Sequence, residues 1–284
     1  MTETTTMQYW PPQADLAGLV TGYHHYRVSP PPGQVHRDAF QPAWFNLRIL
    51  LTPETVWRVR IGAAPSVPVP AEALFGPGSK LTWSASDAGA VVGVGLTPLA
   101  WLRLNAGAAA DLADRVLPAG DVLSGVAELA ATLRDAGPDE TPALFGHWLS
   151  GRLAAPQRGE ERAGRIMRAL LDPAVRTVSA LAAEAGVTPR TLERLCLVAF
   201  GFPPKLLLRR ARFLRSMHAL LDRGSAGVAI DPSYSDYSHF VREAHEFLGM
   251  TPTRFQRMAP PMLRRSLEER ARQLGAPAQA LAKP

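Results

Sequence analysis

The sequence predicts an α+β protein with a β-rich N-terminal part, helices after it and an all-α C-terminal part. Short apolar or alternating segments, punctuated by proline and glycine, fill roughly the first hundred residues. Apolar residues then recur at helical spacing from about Pro98, and the pattern stays helical to about Met258. With 284 residues, the chain has room for more than one domain.

Strands are predicted where β-branched and aromatic residues lie between turn signals, most clearly at residues 44–51, 55–61 and 90–96. Their length and spacing indicate a small barrel or sandwich. In the third segment, Gly93 and Gly95 indicate a bulge or a close approach of two backbones.

Helices are predicted at residues 100–105, 109–117, 122–136 and 142–153, with a break at Gly137-Pro138. Residues 154–159 then form the predicted boundary between a front domain (1–155) and a C-terminal domain (160–258). A tail rich in Arg, Ala and Pro (259–284) is predicted to be a short frayed helix followed by disorder.

The charge of the chain is uneven. Residues 1–158 hold 11 Arg and Lys against 13 Asp and Glu, whereas residues 159–284 hold 20 against 12. A strongly basic half beside a nearly neutral one indicates either a polyanionic partner for that half or solvated, arginine-rich helix faces.

Composition excludes several classes of protein. A single cysteine, Cys196, rules out a disulfide framework and a zinc finger. The sequence begins without the basic and apolar regions of a signal peptide, and it contains no apolar run of membrane-spanning length. We therefore expect a soluble cytoplasmic protein with no membrane partner, and the composition indicates no metal or cofactor.

Residues 178–195 predict two short helices joined by a tight turn. Gly186 can end the first helix in a left-handed conformation, Thr188 can cap the second, and Pro189 takes the favoured first helical position. Leu192 and Leu195 then face inward. This is the pattern of a helix-turn-helix unit, although an ordinary helical hairpin is the alternative.

The second helix of this first unit directs a polar face outward. Arginine suits guanine edges and phosphates, and glutamate can accept from cytosine. The candidate DNA-binding residues here are Thr188, Arg190, Thr191, Glu193 and Arg194.

A second unit follows at residues 228–255. Ser235 or Asp236 can cap a helix whose inner face carries Phe240, Ala244 and Phe247. The candidate DNA-binding residues on its outer face are Tyr237, Ser238, His239 and Arg242.

A long apolar and basic segment, residues 203–221, connects the two units. As a helix it spans roughly 28 Å, close to the roughly 34 Å of one DNA turn. Its arginines, Arg209, Arg210, Arg212 and Arg215, are expected to contact phosphates, unless they are solvated or paired within the protein.

With these motifs, residues 160–258 resemble the C-terminal domain of the AraC/XylS family of bacterial transcription regulators. The resemblance rests on the first unit, on Phe200-Gly201, on the arginines of residues 209–212, and on the segments 234–242 and 247–255. It implies two helix-turn-helix units that bind double-stranded DNA, and therefore a nucleoid-associated location. It also implies RNA polymerase as a partner if the protein is an activator, and a homodimer as a further expectation.

The sequence departs from the family pattern in two places. Residues 196–199, Cys-Leu-Val-Ala, are apolar where the family has basic residues, so fewer phosphate contacts are expected there. In the second unit, Pro232 and Ser233 stand where the family has helical residues and glycine. We therefore predict that the second unit reads bases less stringently than the first.

Residues 8–155 resemble, more weakly, the cupin-like barrel with following helices found in relatives. That resemblance implies a small-molecule effector or a dimerisation role. The candidate effector-binding residues are Tyr23, Tyr26, Trp44, Arg48 and Trp57, although such side chains at strand spacing are more often core or rim.

The two alternative functions are a metal-dependent cupin-type enzyme and an interaction module that no longer binds DNA. The enzyme needs clustered metal ligands, but His24 and His25 should point to opposite faces of a strand, and His36 lies in a proline-rich region. Cys196 is expected to be a buried structural thiol. An interaction module that no longer binds DNA is disfavoured by Arg190, Arg194 and the basic half.

Overall fold

The computed structural model describes residues 4–223, 231, 234–258, 263 and 266. Within them, ten strands occupy the front of the chain. In order they are β1 (Thr4–Trp10), β2 (Val20–Ser29), β3 (His36–Phe40), β4 (Phe45–Leu50), β5 (Trp57–Ile61), β6 (Val67–Pro68), β7 (Glu72–Phe75), β8 (Thr82–Ser86), β9 (Gly89–Leu96) and β10 (Val116–Pro118).

The strands form two antiparallel sheets. One has the order β1-β2-β9-β4-β7-β10 and the other the order β3-β8-β5-β6. The three predicted strands are confirmed as β4, β5 and β9. A small apolar cluster between the sheets includes Leu50, Trp57 and Phe75.

Gly93 confirms the predicted close approach of backbones. A Cβ atom at this position would lie 2.5 Å from Nε2 of His24 on β2 and 2.7 Å from the carbonyl oxygen of Leu47 on β4. Any larger residue would therefore push apart the strands on both sides of β9.

Nine α-helices follow within the described residues. They are α1 (Pro98–Leu104), α2 (Val126–Asp135), α3 (Thr141–Ser150), α4 (Glu160–Leu171), α5 (Val178–Ala185), α6 (Pro189–Leu195), α7 (Pro204–Arg223), α8 (Tyr237–Leu248) and α9 (Pro252–Met258). A π-helical segment, Cys196–Phe200, continues directly from α6.

The helix predicted at residues 109–117 is wrong. A 3₁₀ turn at Ala109–Leu112 is followed by strand β10. Between them, Asp114 takes a positive φ of 54°, and its carboxylate accepts hydrogen bonds of 2.6 Å from both the amide and the hydroxyl of Ser79. This long-range anchor stops the helix and delivers the chain to the sheet edge.

Two other helix boundaries shift for local reasons. α1 begins at Pro98 because the Thr97 hydroxyl accepts from the amide of Ala100 at 3.3 Å. α2 begins at Val126 instead of residue 122, because Gly125 precedes it in the left-handed conformation with a φ of 69°.

The front sheets pack directly on the C-terminal helices. Ala39 and Leu81 belong to the same buried cluster as Phe213 and Phe247, and the amide of Leu81 donates to the carbonyl of Phe247 at 2.8 Å.

The segment 154–159 lies between α3 and α4, while the domain boundaries stay a prediction. The predicted tail, residues 259–284, lies outside the described residues except for Leu263 and Ser266.

Candidate nucleic-acid interface

The first helix pair has the capping predicted from the sequence. The Thr177 hydroxyl accepts from the amide of Ala180 at 3.1 Å and starts α5. Gly186 ends α5 in the left-handed conformation with a φ of 64°. The amide of Val187 then donates to the carbonyl of Ala182 at 3.0 Å, so the turn is fixed by backbone hydrogen bonds.

Thr188 caps α6, because its hydroxyl accepts from the amide of Thr191 at 3.3 Å, and Pro189 takes the first helical position. Leu192 and Leu195 are buried and hold the helix against its neighbours. The position of α6 is therefore fixed from behind by apolar packing and at its start by a side-chain cap.

The outer face of α6 is open. Arg190, Glu193 and Arg194 are exposed and Thr191 is half-buried. None of the three charged side chains forms an ion pair with any residue that the structure describes. Both guanidinium groups thus keep all their donors for another molecule.

Cys196 lies at the base of α6 and is fully buried, as predicted. Burial, helped by the nearby Glu193 carboxylate, raises the pKa of the thiol to about 12. A thiol held in its neutral form is a poor nucleophile, so the side chain has a packing role.

The second recognition helix, α8, begins at a cap that the sequence also indicated. Asp236, and not Ser235, is the capping residue, and its carboxylate accepts from the amide of His239 at 2.7 Å. Phe240, Ala244 and Phe247 form the buried inner face. The prediction that this unit reads bases less stringently rests on Pro232 and Ser233. Both lie outside the described residues, as do residues 228–230.

The outer face of α8 differs from that of α6. Tyr237 is 52% exposed, and Ser238 and Arg242 are exposed too. The side chain of His239 is only half-exposed, with its Nε2 atom 3.5 Å from Arg212 and 4.0 Å from Glu243. His239 is therefore partly committed to contacts inside the protein.

An ion-pair network, which we call the Glu243 network, joins α7 to α8. The buried Glu243 carboxylate accepts from Arg209 at 2.8 Å, from Arg212 at 2.5 Å and from the Tyr234 hydroxyl at 2.6 Å. Arg209 also pairs with Glu246. Burial alone would raise the pKa of Glu243, but the hydrogen bonds from Tyr234 and the two arginines outweigh it and hold that pKa below its ordinary value.

The four arginines of α7 that are predicted to contact phosphates are therefore not free charges. Arg209 and Arg212 belong to the Glu243 network, and Arg215 pairs with the buried Asp231 at 2.7 Å. Arg210 is fully buried with its guanidinium 4.3 Å from the ring centroid of Trp44. Of the two alternatives that the sequence left open, pairing within the protein is correct.

A groove of about 620 Å³ runs along α7 and is lined by residues from the start of α5, from α7 and from α8. Four charged residues that line it were not predicted from the sequence, namely Arg176, Lys205, Glu243 and Glu246. Glu243 could have been noticed as a glutamate four residues after His239 on one helix face. For Arg176 and Lys205, which are exposed near the ends of α5 and α7, the sequence contains no specific signal.

The five candidate effector residues do not line one common site. Tyr23 is buried in the front core and its hydroxyl donates to Gln13. Trp44 packs on Phe200 of the C-terminal part, with ring centroids 5.4 Å apart. Trp44 therefore belongs to the contact between the two parts of the chain and not to the barrel lining.

The other three candidates lie between the two sheets. Tyr26 and Trp57 line a cavity of about 40 Å³. The Arg48 guanidinium stacks 4.1 Å from the ring centroid of Phe40 and 4.6 Å from that of Phe75. The indole of Trp57 donates to the Ser84 hydroxyl at 2.8 Å. This cavity is far smaller than the roughly 300–1,000 Å³ typical of ligand pockets.

Among the described residues there is no group of three or more His, Cys, Asp or Glu side chains that could hold a metal ion. His24 is buried and stacks on Tyr26, while His36 lies 3.9 Å from Asp38. In the same part of the chain, no helix combines the length and the apolar character needed to span a membrane.

Residues 181–258 match the helix-turn-helix domain family, which is about a quarter of the chain. No curated protein matches. Among solved structures, ToxT from Vibrio cholerae is similar at 11% identity with a TM-score of 0.47, covering 91% of this chain and 99% of that one. ToxT from Vibrio cholerae with bound unsaturated fatty acid is similar at 9% identity with a TM-score of 0.43, covering 91% of this chain and 96% of that one. The AraC-like transcriptional activator CuxR is similar at 13% identity with a TM-score of 0.24, covering 74% of this chain and 86% of that one.

The family match covers the first unit from Leu181, the connecting helix α7 and the second unit to Met258. It coincides with the two capped helix pairs, and these two findings, not the distant structural likenesses, identify the domain. The helix-turn-helix domain predicted from the motifs is confirmed: the chain carries one at residues 181–258.

Proposed function

We propose that this protein is a DNA-binding transcription regulator of the AraC/XylS type that selects its DNA sites mainly through α6, with Arg190, Thr191, Glu193 and Arg194 at base edges and neighbouring phosphates. The observation that carries the proposal is the open outer face of α6, whose two arginines have no acidic partner in the described part of the chain. Arginine in that position can form a bidentate contact to guanine, the commonest specific contact in the major groove.

In this proposal, the second unit mainly positions the protein on the DNA. Tyr237, Ser238 and Arg242 face outward at the N-terminal half of α8 and can contact the backbone of the next major-groove segment. The roughly 30 Å length of α7, at 1.5 Å per residue, suits two helices about one DNA turn apart. Arg176 and Lys205 add exposed positive charge along the groove beside α7 and α8.

Arg194→Ala tests this proposal. We expect it to weaken binding to a selected DNA site by about 1–3 kcal/mol, measured by mobility shift at fixed salt, and to relax base preference at one position. Arg115→Ala removes an equally exposed arginine from the front domain and serves as the matched control. Unchanged affinity and preference in the Arg194 variant would show that α6 does not read the site.

A small-molecule effector stays a second proposal for the front domain. It is supported by the polar groups around the cavity between the sheets, where His36, Ser84 and Ser86 accompany Tyr26 and Trp57. Since the cavity holds about 40 Å³, an organic effector would have to separate β3, β5 and β8 from the larger sheet. Because the four-stranded sheet packs on α7 and α8, such a movement would reach the DNA-binding domain. A homodimer and a contact with RNA polymerase stay predictions.

A further inference from the structure

Three arginines stand on the outer face of the four-stranded sheet. Arg37 on β3 and both Arg58 and Arg60 on β5 are exposed. Arg58 donates to the carbonyl of Ser66 at 2.7 Å, and Arg60 donates to that of Gly62. No carboxylate of the described residues pairs with any of the three, in contrast to the arginines of α7. Their positive charge is therefore open to another molecule.

The register of the strands arranges these arginines around a groove. Strand β8 runs between β3 and β5, and Ala85 lies opposite Arg37 on one side and Arg58 on the other. At a strand spacing of about 4.8 Å, the two arginine backbones are about 10 Å apart across an alanine floor. One row further on, the Arg60 guanidinium lies 5.9 Å from the ring centroid of Trp83. The groove measures about 390 Å³.

The groove lies where the sheet emerges from under the C-terminal domain. Farther along the same face, Ala39 and Leu81 are covered by helices α7 and α8. Met258, the last residue of α9, lines the groove and is 48% exposed. Its lining thus combines the three exposed arginines with Trp83 and Met258, and its one carboxylate among the described residues, Asp38, is buried.

The character of the groove favours a protein as its occupant. Arginine, tryptophan and methionine are enriched in protein–protein interfaces, and arginine and tryptophan carry much of the binding energy there. A small-molecule site would enclose its ligand, whereas the arginines here are exposed on an open sheet face. Duplex DNA is also disfavoured: Leu81, which directly precedes β8, donates to the carbonyl of Phe247 on α8, about 15 Å along the helix from Tyr237.

We propose that this groove, formed by Arg37, Arg58, Arg60, Trp83 and Met258, docks an acidic segment of a partner protein. Carboxylates of the segment pair with the three guanidinium groups, in bidentate geometry where the fork allows it. An apolar side chain of the same segment packs on Trp83 and Met258. This surface is independent of the DNA-binding residues on α6 and α8.

A short fluorescein-labelled peptide of alternating glutamate and leucine is the probe, and fluorescence anisotropy with the full chain is the measurement. The double variant Arg37→Gln/Arg58→Gln should lose about tenfold or more in peptide affinity, because two charge-assisted contacts disappear. The control Arg27→Gln/Arg115→Gln makes the same charge change at exposed front-domain positions and should stay within about twofold. All four residues are exposed, so thermal melting should show both variants folded.

Charge reversal provides a second arm. Arg37→Glu/Arg58→Glu should prefer a lysine–leucine peptide of the same length and lose the glutamate–leucine peptide. Operator binding by mobility shift should stay unchanged in all these variants. The proposal is overturned if the peptide does not bind, if both double variants lose it equally, or if duplex DNA of unrelated sequence is what depends on Arg37 and Arg58.

Discussion

The two outer helices of the helix-turn-helix domain, α6 and α8, are built alike and charged differently. Both begin at a side-chain cap, Thr188 on α6 and Asp236 on α8, and both bury an apolar inner face. On α6, Arg190 and Arg194 are exposed without acidic partners among the described residues. On α8, by contrast, His239 lies within the Glu243 network that ties the helix to α7.

The difference shows that net charge is a poor guide to which surface meets DNA. The C-terminal half carries an excess of basic residues, yet three arginines of α7 are paired with carboxylates and a fourth is buried. Their charge stabilises the packing of the second unit. The first unit exposes two arginines without acidic partners among the described residues, against one, Arg242, on α8, so base readout should be concentrated in the first unit.

The largest effect is expected from Glu243→Ala. Removing this carboxylate leaves Arg209, Arg212 and Tyr234 without their shared partner in a largely buried setting, which should lower the free energy of unfolding by about 3 kcal/mol. Urea unfolding followed by circular dichroism measures it. Glu246→Ala, a surface partner of Arg209, should cost less than about 1 kcal/mol. If the two variants unfold alike, the network does not hold α8 on α7.

The next largest difference is expected between the DNA affinities of the variants Arg242→Ala and Arg194→Ala. Because Arg242 is expected to contact phosphate and not a base edge, its loss should weaken binding by less than about 1 kcal/mol, uniformly across DNA sequences. Arg194→Ala should cost more and change base preference. Parallel mobility shifts on matched and mismatched sites measure both. Equal losses with equal changes of preference would remove the difference between the two units.

A smaller effect concerns pH. The pKa of Glu243 is held below its ordinary value of 4.5, so its contribution to stability is fully present above that pH and is lost as pH falls through the lowered pKa. In the variant Glu243→Gln, the free energy of unfolding should therefore fall less steeply as the pH is lowered. Glu160, whose pKa is also lowered in its contact with Arg103, remains in both proteins, so the difference between their curves isolates Glu243. Curves of identical shape would contradict the assignment.

Local signals in the sequence predicted the first unit well. Gly186, Thr188 and Pro189 each act on residues within a few positions, so their effects can be read without knowing the rest of the fold. The same holds for the cap at Asp236 and for strands β4, β5 and β9. Here local preference and final structure agree.

Long-range contacts account for what the sequence could not predict. The helix expected at residues 109–117 is broken by Asp114, whose partner Ser79 lies 35 positions earlier. The sequence places Trp44 among the residues that line the barrel. In the structure Trp44 packs on Phe200 instead, a contact that depends on how the two parts of the chain pack. The pairing of Arg209 and Arg212 depends on Glu243, which is 34 positions from Arg209. None of these has a pattern that periodicity can reveal.

Selection of binding sites from a random DNA library, followed by sequencing, tests the central claim most directly. If base readout is concentrated on α6, the selected sites should contain one strongly specified half-site and one weakly specified half-site about one DNA turn away. Repeating the selection with Arg194→Ala should erode the strong half-site and leave the weak one unchanged. Two half-sites of equal information in the unmodified protein would contradict the account.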